Sequence, residues 1–203
     1  MQHTRLCWRC MTNGFLCSVC GQIHPPAPTS YSIKAPDAFI AIPDEERATR
    51  AQISAEQCIL DERQFFLRGR IVLPILDQQN QPAPELLDPR SGPAPEIRIE
   101  APYFAYGCWV EVSPKNFFRT HELWKTPGRE DEPPFPGYLA NELHHYPRTL
   151  GLEVLVATQP VGRRPHLTVL DQTHPLAQEQ MTGLSTERIQ QIAEQILHHP
   201  EPR

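Results

Sequence analysis

The chain has 203 residues, a net charge of −5 and 23 prolines, about twice the usual share of proline. So many prolines exclude a coiled coil or a long-helix bundle, because each internal one removes an amide donor and clashes with the preceding turn. The charge argues against bulk nucleic-acid binding, which needs basic surface to displace counterions, and no apolar run approaches the ~20 residues of a bilayer span. The opening MQHTRLCWRC has neither an apolar segment nor a small-residue cleavage pattern, so a cytoplasmic protein is expected.

Two CxxC pairs, Cys7/Cys10 and Cys17/Cys20, lie within fourteen residues with six residues between the pairs. A two-residue gap lets one tight turn aim two sulfurs at a single point, and two such turns supply four thiolates, a closed tetrahedral shell for Zn2+. Gly14 and Gly21 give the backbone freedom that sharp turns need. A closed shell leaves no position for water, so the metal is read as structural. His24 is the substitute ligand if an upstream cysteine stays out, and His3 a weaker one. Disulfides would require an oxidising compartment, and a redox CxxC normally opens a helix beside a strand. Cys58 and Cys108 sit in apolar surroundings and read as core.

Residues 1–24 thus form a zinc-knuckle segment, PPAP at 25–28 a stiff hinge, and 29–197 a larger domain. YSIK and AFIAI read as short strands. PDEERATRAQI reads as a short helix with acids in its first turn and arginines behind. QCILD and QFFLRGRIVLPIL are strands or a hairpin. Residues 77–101 carry five prolines and read as an exposed insertion. In the next stretch Phe104, Tyr106, Cys108, Val110 and Val112 alternate onto one face, and Ser113-Pro114 starts a helix. A short helix is expected around GYLANELHH, then strands at LEVLVAT and HLTVL joined by a turn with Arg163 and Arg164. A small helical piece at HPLAQEQM follows. A last helix from Ser185 has the stripe Ile189, Ile192, Ala193, Ile196 and Leu197, with the final six residues fraying. The expected class is α+β, a mostly antiparallel sheet with short flanking helices plus the small zinc knuckle.

CSVCG with His24, CILDERQFFLRG, CWVEVSPKNF with a nearby LW, PPFPGYL, HYPRTL and THPLAQEQMTG occur in this order. In these blocks the chain resembles a bacterial family classed as a domain of unknown function, over roughly residues 15–192. CWRC upstream and the stretch 77–101 go beyond the pattern of that family. The resemblance implies kinship and no particular chemistry.

Catalytic motifs mostly fail. His121-Glu122 begins like HExxH, but Lys125 stands where the second histidine belongs. There is no GxSxG elbow, phosphate-cradling GxxxxGK[ST] or dinucleotide GxGxxG, and neither CxxC follows a proline as in the zinc deaminases. His174, before Pro175 at a helix start, and Glu179 are candidates for an acid–base pair in a hydrolytic enzyme, with Arg68 beside them; a capped, docked helix is the simpler reading. His144-His145 reads as a surface pair near a helix end. Arg68 reads as solvent-facing, Arg163-Arg164 as a solvated turn able to meet phosphate or an acidic partner, and Trp109 and Trp124 as core. The leading expectation is a non-catalytic, protein-binding module of antidote type. The alternatives are the hydrolase and a nucleic-acid reader using Arg5, Trp8 and Arg9.

Overall fold

The computed structural model describes residues 14–76 and 103–198. Cys7, Cys10 and the expected insertion at 77–101 lie outside the described residues. The chain begins with a two-stranded ribbon, β1 (Phe15–Leu16) and β2 (Ile23–His24), paired antiparallel. An eight-stranded sheet follows, built from β3 (Ser30–Ser32), β4 (Ala51–Ile53), β5 (Gln57–Leu60), β6 (Gln64–Pro74), β7 (Tyr103–Val112), β8 (Phe135–Leu139), β9 (Glu153–Ala157) and β10 (His166–Val169). Five helices accompany it: α1 (Asp37–Ile40), α2 (Asp44–Arg50), α3 (Pro114–Glu122), α4 (Pro175–Thr182) and α5 (Thr186–His198). The architecture is α+β with a mixed sheet. No helix among the described residues is long and apolar enough to cross a membrane.

The sheet closes on itself. β6–β7, β7–β8, β8–β9 and β9–β10 are antiparallel pairs. Five strands running up and down bring the last one parallel to the first, and β10 pairs with β6 in that sense through His166 and Arg70. The result is a five-stranded barrel, with β3 added in parallel to β7 and the β5–β4 hairpin added to β6.

Alternation along each strand sorts residues between barrel interior and exterior. Leu67, Ile71, Cys108, Val110, Val154 and Leu167 are buried inside. On the outside Tyr138 is exposed, whereas Phe66 and Trp109 are covered by a second cluster with Ile42, Cys58 and Leu60. Helices α4 and α5 close one end of the barrel with Leu176, Ala177, Ile189, Ile192 and Ala193. Cys58 and Cys108 are fully buried, and burial pushes both thiols up to about 12, so both are inert packing groups.

Two local expectations are corrected. AFIAI is not a strand: Phe39 and Ile40 donate to the Pro36 carbonyl (2.9 and 3.1 Å) and wind the helix α1. GYLANELHH is not a helix but the end of β8 and the turns after it. Gly137 fits there because a Cβ would lie 2.6 Å from Val110 Cγ2 and 2.9 Å from the Glu111 carbonyl. Asn141 then spends its side chain on tertiary bridges, accepting from Trp109 N (2.8 Å) and donating to Ala35 O (2.9 Å) and Asp37 Oδ1 (2.9 Å). A side chain committed to distant backbone competes with helix formation.

The closing seam rests on Gly69, where a Cβ would lie 2.7–2.8 Å from three carbons of Leu167. Gly69→Ala should therefore cost about 1–3 kcal/mol in urea unfolding. Leu167→Ala alone should cost about 2–5 kcal/mol, and the double variant less than the sum, because the smaller side chain makes room. Strict additivity would show that the seam tolerates a methyl group without Leu167 yielding.

Candidate metal centre

Residues 14–24 form the ribbon and its turn. Cys17 N donates to Gln22 O (2.9 Å) and Gly21 N to Cys17 O (3.0 Å), folding Cys17–Cys20 back on themselves. Gly21 adopts φ 70°, the left-handed conformation a side chain disfavours. At Gly14, φ 89°, a Cβ would meet the His24 carbonyl at 2.5 Å, so the two chains of the ribbon approach here only without a side chain.

Helix α5 fastens this ribbon with one polar file. Gln190, Glu194 and His198 recur at i, i+4 and i+8, which places them above one another on one helix face. Gln190 Nε2 donates to Leu16 O (3.0 Å). Glu194 accepts from Ser18 N (2.8 Å) and Ser18 Oγ (2.6 Å), and Gln190 supports it from the same helix (2.8 Å). Burial pushes the Glu194 carboxyl up, but the donors from Gln190 and Ser18 outweigh it and hold the group below its ordinary range. His198 completes the file, with Nε2 3.1 Å from Cys17 Sγ.

Across the turn, His24 Nε2 lies 3.2 Å from Cys20 Sγ. The ligand atoms of Cys17, Cys20, His24 and His198 all lie within 4.8 Å of one another. A tetrahedral ion with bonds of about 2.0–2.3 Å separates its sulfur and nitrogen ligands by about 3.5 Å. The arrangement can hold a metal ion. Cys17 is buried and Cys20 exposed, and both are free thiols.

Of the ligands expected from sequence, Cys17, Cys20 and His24 come together, while Cys7 and Cys10 lie outside the described residues. His198 was missed, because it was assigned to a fraying end; it is the last residue of α5. The signal that could have found it is the polar file Gln190, Glu194, His198, which a reading of the apolar stripe passes over.

The other candidates are placed differently. His174 caps α4: Nδ1 accepts from Leu176 N (3.2 Å) and Nε2 faces Pro147 O (3.1 Å), which puts the ring proton on Nε2. Glu179 accepts from the Tyr146 hydroxyl and from Arg188 Nε (2.7 Å). Arg188 lies over the Tyr146 ring and also donates to His145 O (3.3 Å). His145 is no surface residue: its Nε2 meets the buried Tyr106 hydroxyl at 2.6 Å. The blocks HYPRTL and THPLAQEQ thus meet around Tyr146, with His174 and Glu179 both beside it, but both are engaged in structural bonds. Arg68 belongs elsewhere. It donates to Ile33 O (2.8 Å) and Ala55 O (3.2 Å) over Trp109, half-buried and not solvent-facing as expected. Trp109 is core, as read, whereas Trp124 is half-buried beneath Arg129. His121 is exposed and meets Gln57 Oε1 at 3.0 Å.

The chain belongs to a bacterial family described as an uncharacterized protein conserved in bacteria (DUF2199), whose model matches residues 16–184. The matched stretch contains Cys17, Cys20 and His24 and ends before α5. Neither a curated protein nor a solved structure matches the chain.

The Tyr106–His145 contact carries a pH signature. Burial, followed by the charges of Arg188 and His144, pulls His145 from its ordinary 6.5 down to about 4. The unfolded chain therefore takes up this proton first on acidification. The stabilising contribution is complete above pH 6.5 and is lost toward pH 4, by up to about 1.4 kcal/mol per pH unit. His145→Gln should flatten the stability–pH curve in that window by this slope relative to wild type. Parallel curves would show that His145 titrates normally in the fold.

Proposed function

We propose that Cys17, Cys20, His24 and His198 bind one zinc ion as a structural, non-catalytic fastener, and that the ribbon so held docks onto another protein. The observation that carries this is the convergence of two thiols and two imidazoles from opposite ends of the chain within 4.8 Å. Two sulfur and two nitrogen ligands suit zinc, and four protein ligands fill its tetrahedron. Thiolate ligation also agrees with a reducing cytoplasm. On this reading residues 1–24 form the zinc-held segment and residues 29–197 the body to which it is tied.

The ribbon supports the docking part. Leu16, Val19 and Ile23 are 65, 60 and 77% exposed, Leu16 and Ile23 being cross-strand partners. A segment too small to build its own core here turns three apolar side chains outward, as interaction surfaces do. With a net charge of −5, the body would favour a basic partner, as an antidote to a basic toxin would. The hydrolytic reading loses support because His174 and Glu179 are engaged in capping and ion pairing.

Protein purified without added metal should contain one zinc per chain by elemental analysis. His198→Ala or Cys17→Ser should abolish it, and the double variant Cys7→Ser/Cys10→Ser should retain it. At a thousandfold excess of free zinc over its dissociation constant the stabilisation is about 4 kcal/mol, so chelation should lower the melting temperature by roughly 8–16 °C. Zinc lost with Cys7 and Cys10 but kept without His198 would overturn the ligand set.

Docking is checked separately with Leu16→Ser/Ile23→Ser. This variant should keep its zinc and its melting temperature yet fail to retain a partner that the wild-type chain captures. A partner held equally by both would place the interface elsewhere.

A further inference from the structure

Of the described cysteines, Cys17, Cys58 and Cys108 are buried and Cys20 alone is exposed. The residues around it, 18–23, are all exposed, and a Cβ placed on Gly21 would meet nothing within 4 Å. A small oxidant therefore has an open path to Cys20 Sγ. Behind it stands a second sulfur: Cys17 Sγ and Cys20 Sγ lie within 4.8 Å of each other. The bond from Gly21 N to Cys17 O (3.0 Å) closes a single turn over the pair. Residues three apart across such a turn have Cα atoms under about 7 Å apart, within the reach of a disulfide, so side-chain rotation that closes a gap of under about 3 Å joins the two sulfurs.

A cysteine that ligates a cation does so as the thiolate, and the thiolate is also the form that attacks an oxidant. Exposure of one thiolate with a resolving thiol beside it favours reversible oxidation. Cys58 and Cys108 are fully buried and lack that access. Loss of both sulfurs would take away half of a four-ligand shell, and the two ligands that stay, His24 and His198, are neutral imidazoles with no charge to offset the ion. Of the three polar side chains by which α5 holds the ribbon, Gln190 and Glu194 would remain.

We infer that Cys17 and Cys20 are a peroxide-sensitive thiol pair, whose oxidation to a disulfide expels the ion and loosens the ribbon from α5. This regulation rests on the zinc reading of the same four ligands. The oxidant is hydrogen peroxide. The Cys20 thiolate attacks one peroxide oxygen: an S–O bond forms, the O–O bond breaks, hydroxide leaves and the sulfur becomes a sulfenic acid. The Cys17 thiolate then attacks the Cys20 sulfur, forms the S–S bond and displaces a second hydroxide. Two thiolates give up two electrons in all, one peroxide is reduced to two hydroxides, and the zinc leaves as the hydrated ion. A dithiol reductant restores both thiolates by exchange. In a reducing cytoplasm such a disulfide is transient, as redox-sensing ones are.

The test titrates the zinc-loaded full chain with hydrogen peroxide beside a colorimetric indicator of free zinc, and maps the product by mass spectrometry. One zinc should be released for each peroxide consumed, with a Cys17–Cys20 peptide lighter by two hydrogens and with Cys58 and Cys108 unmodified. The Ser18 amide, which donates to Glu194 at 2.8 Å, should exchange with solvent severalfold faster after oxidation, and dithiothreitol with added zinc should reverse all of these changes. Cys7→Ser/Cys10→Ser should respond as the wild type does. Cys17→Ser, which removes the resolving thiol, should instead leave a sulfenic acid at Cys20 that dimedone traps. A chain without zinc before treatment would sink the metal reading and this inference with it. Zinc present but retained through treatment, oxidation of Cys20 past the sulfenic stage with no bond to Cys17, a disulfide to Cys7 or Cys10, or a Ser18 amide indifferent to oxidation would overturn the switch alone.

Discussion

The amino-terminal ribbon cannot stand alone, and its attachment to α5 is the constraint on which the rest of this end of the molecule depends. Ordering a residue costs about 1–2 kcal/mol of backbone entropy. Within residues 14–24 only Phe15 and Cys17 join the core. Two buried side chains cannot offset the ordering of the whole ribbon, and two-residue strands add few backbone bonds. The deficit is met from α5, through Gln190, Glu194 and His198. The order of dependence is therefore one-way. Barrel burial fixes Ile189, Ile192 and Ala193, these fix the rotation of α5, and that rotation decides which polar face meets the ribbon.

Barrel closure imposes a second constraint, on where chemistry can sit. The interior is filled by side chains, and its glycines mark places where neighbours come too close for a methyl group. Little room remains inside for a ligand. Polar groups are displaced to the barrel end, where Tyr106, His145, Tyr146, Glu179 and Arg188 join into one bonded network, and to the outer seam, where Arg70 and His166 lie side by side. The end network closes on itself, whereas His166 Nδ1 at the seam has no hydrogen-bond partner among the described residues.

Much of this was legible in the sequence where local chemistry decides. Ser113 before Pro114 does cap α3, its hydroxyl accepting from Asn116 N at 3.2 Å. The alternation at 104–112 is β7, and Ile189, Ile192 and Ala193 of the expected stripe form the buried face of α5, while Ile196 is half-buried and Leu197 exposed. Cys58 and Cys108 are core as their neighbours implied. What escaped is non-local. The parallel seam between His166 and Arg70 joins residues 96 positions apart, and nothing in either strand announces it. Asn141 turned an apparent helix into a bridge because its partners, Ala35 and Trp109, are remote in sequence. His198 escaped for the same reason: its thiol partner lies 181 residues away.

The histidines show how far bonding arithmetic alone discriminates among identical side chains. An imidazole has two nitrogens, and its role follows from what each of them meets. His174 has both satisfied, one by an amide and one by a carbonyl, and is a cap. His145 spends Nε2 on a buried phenol and is part of the framework. His24 and His198 each face a thiol, a partner of little worth as a hydrogen-bonding group but of high worth as a co-ligand, which is why their pairing points to a metal. His166 alone among these has a shielded nitrogen that nothing among the described residues meets, while burial and then the charges of Arg70 and Arg163 discourage its protonation. A buried nitrogen left without a partner costs about 1–3 kcal/mol, so at His166 the packing of the fold gains elsewhere what this one atom loses.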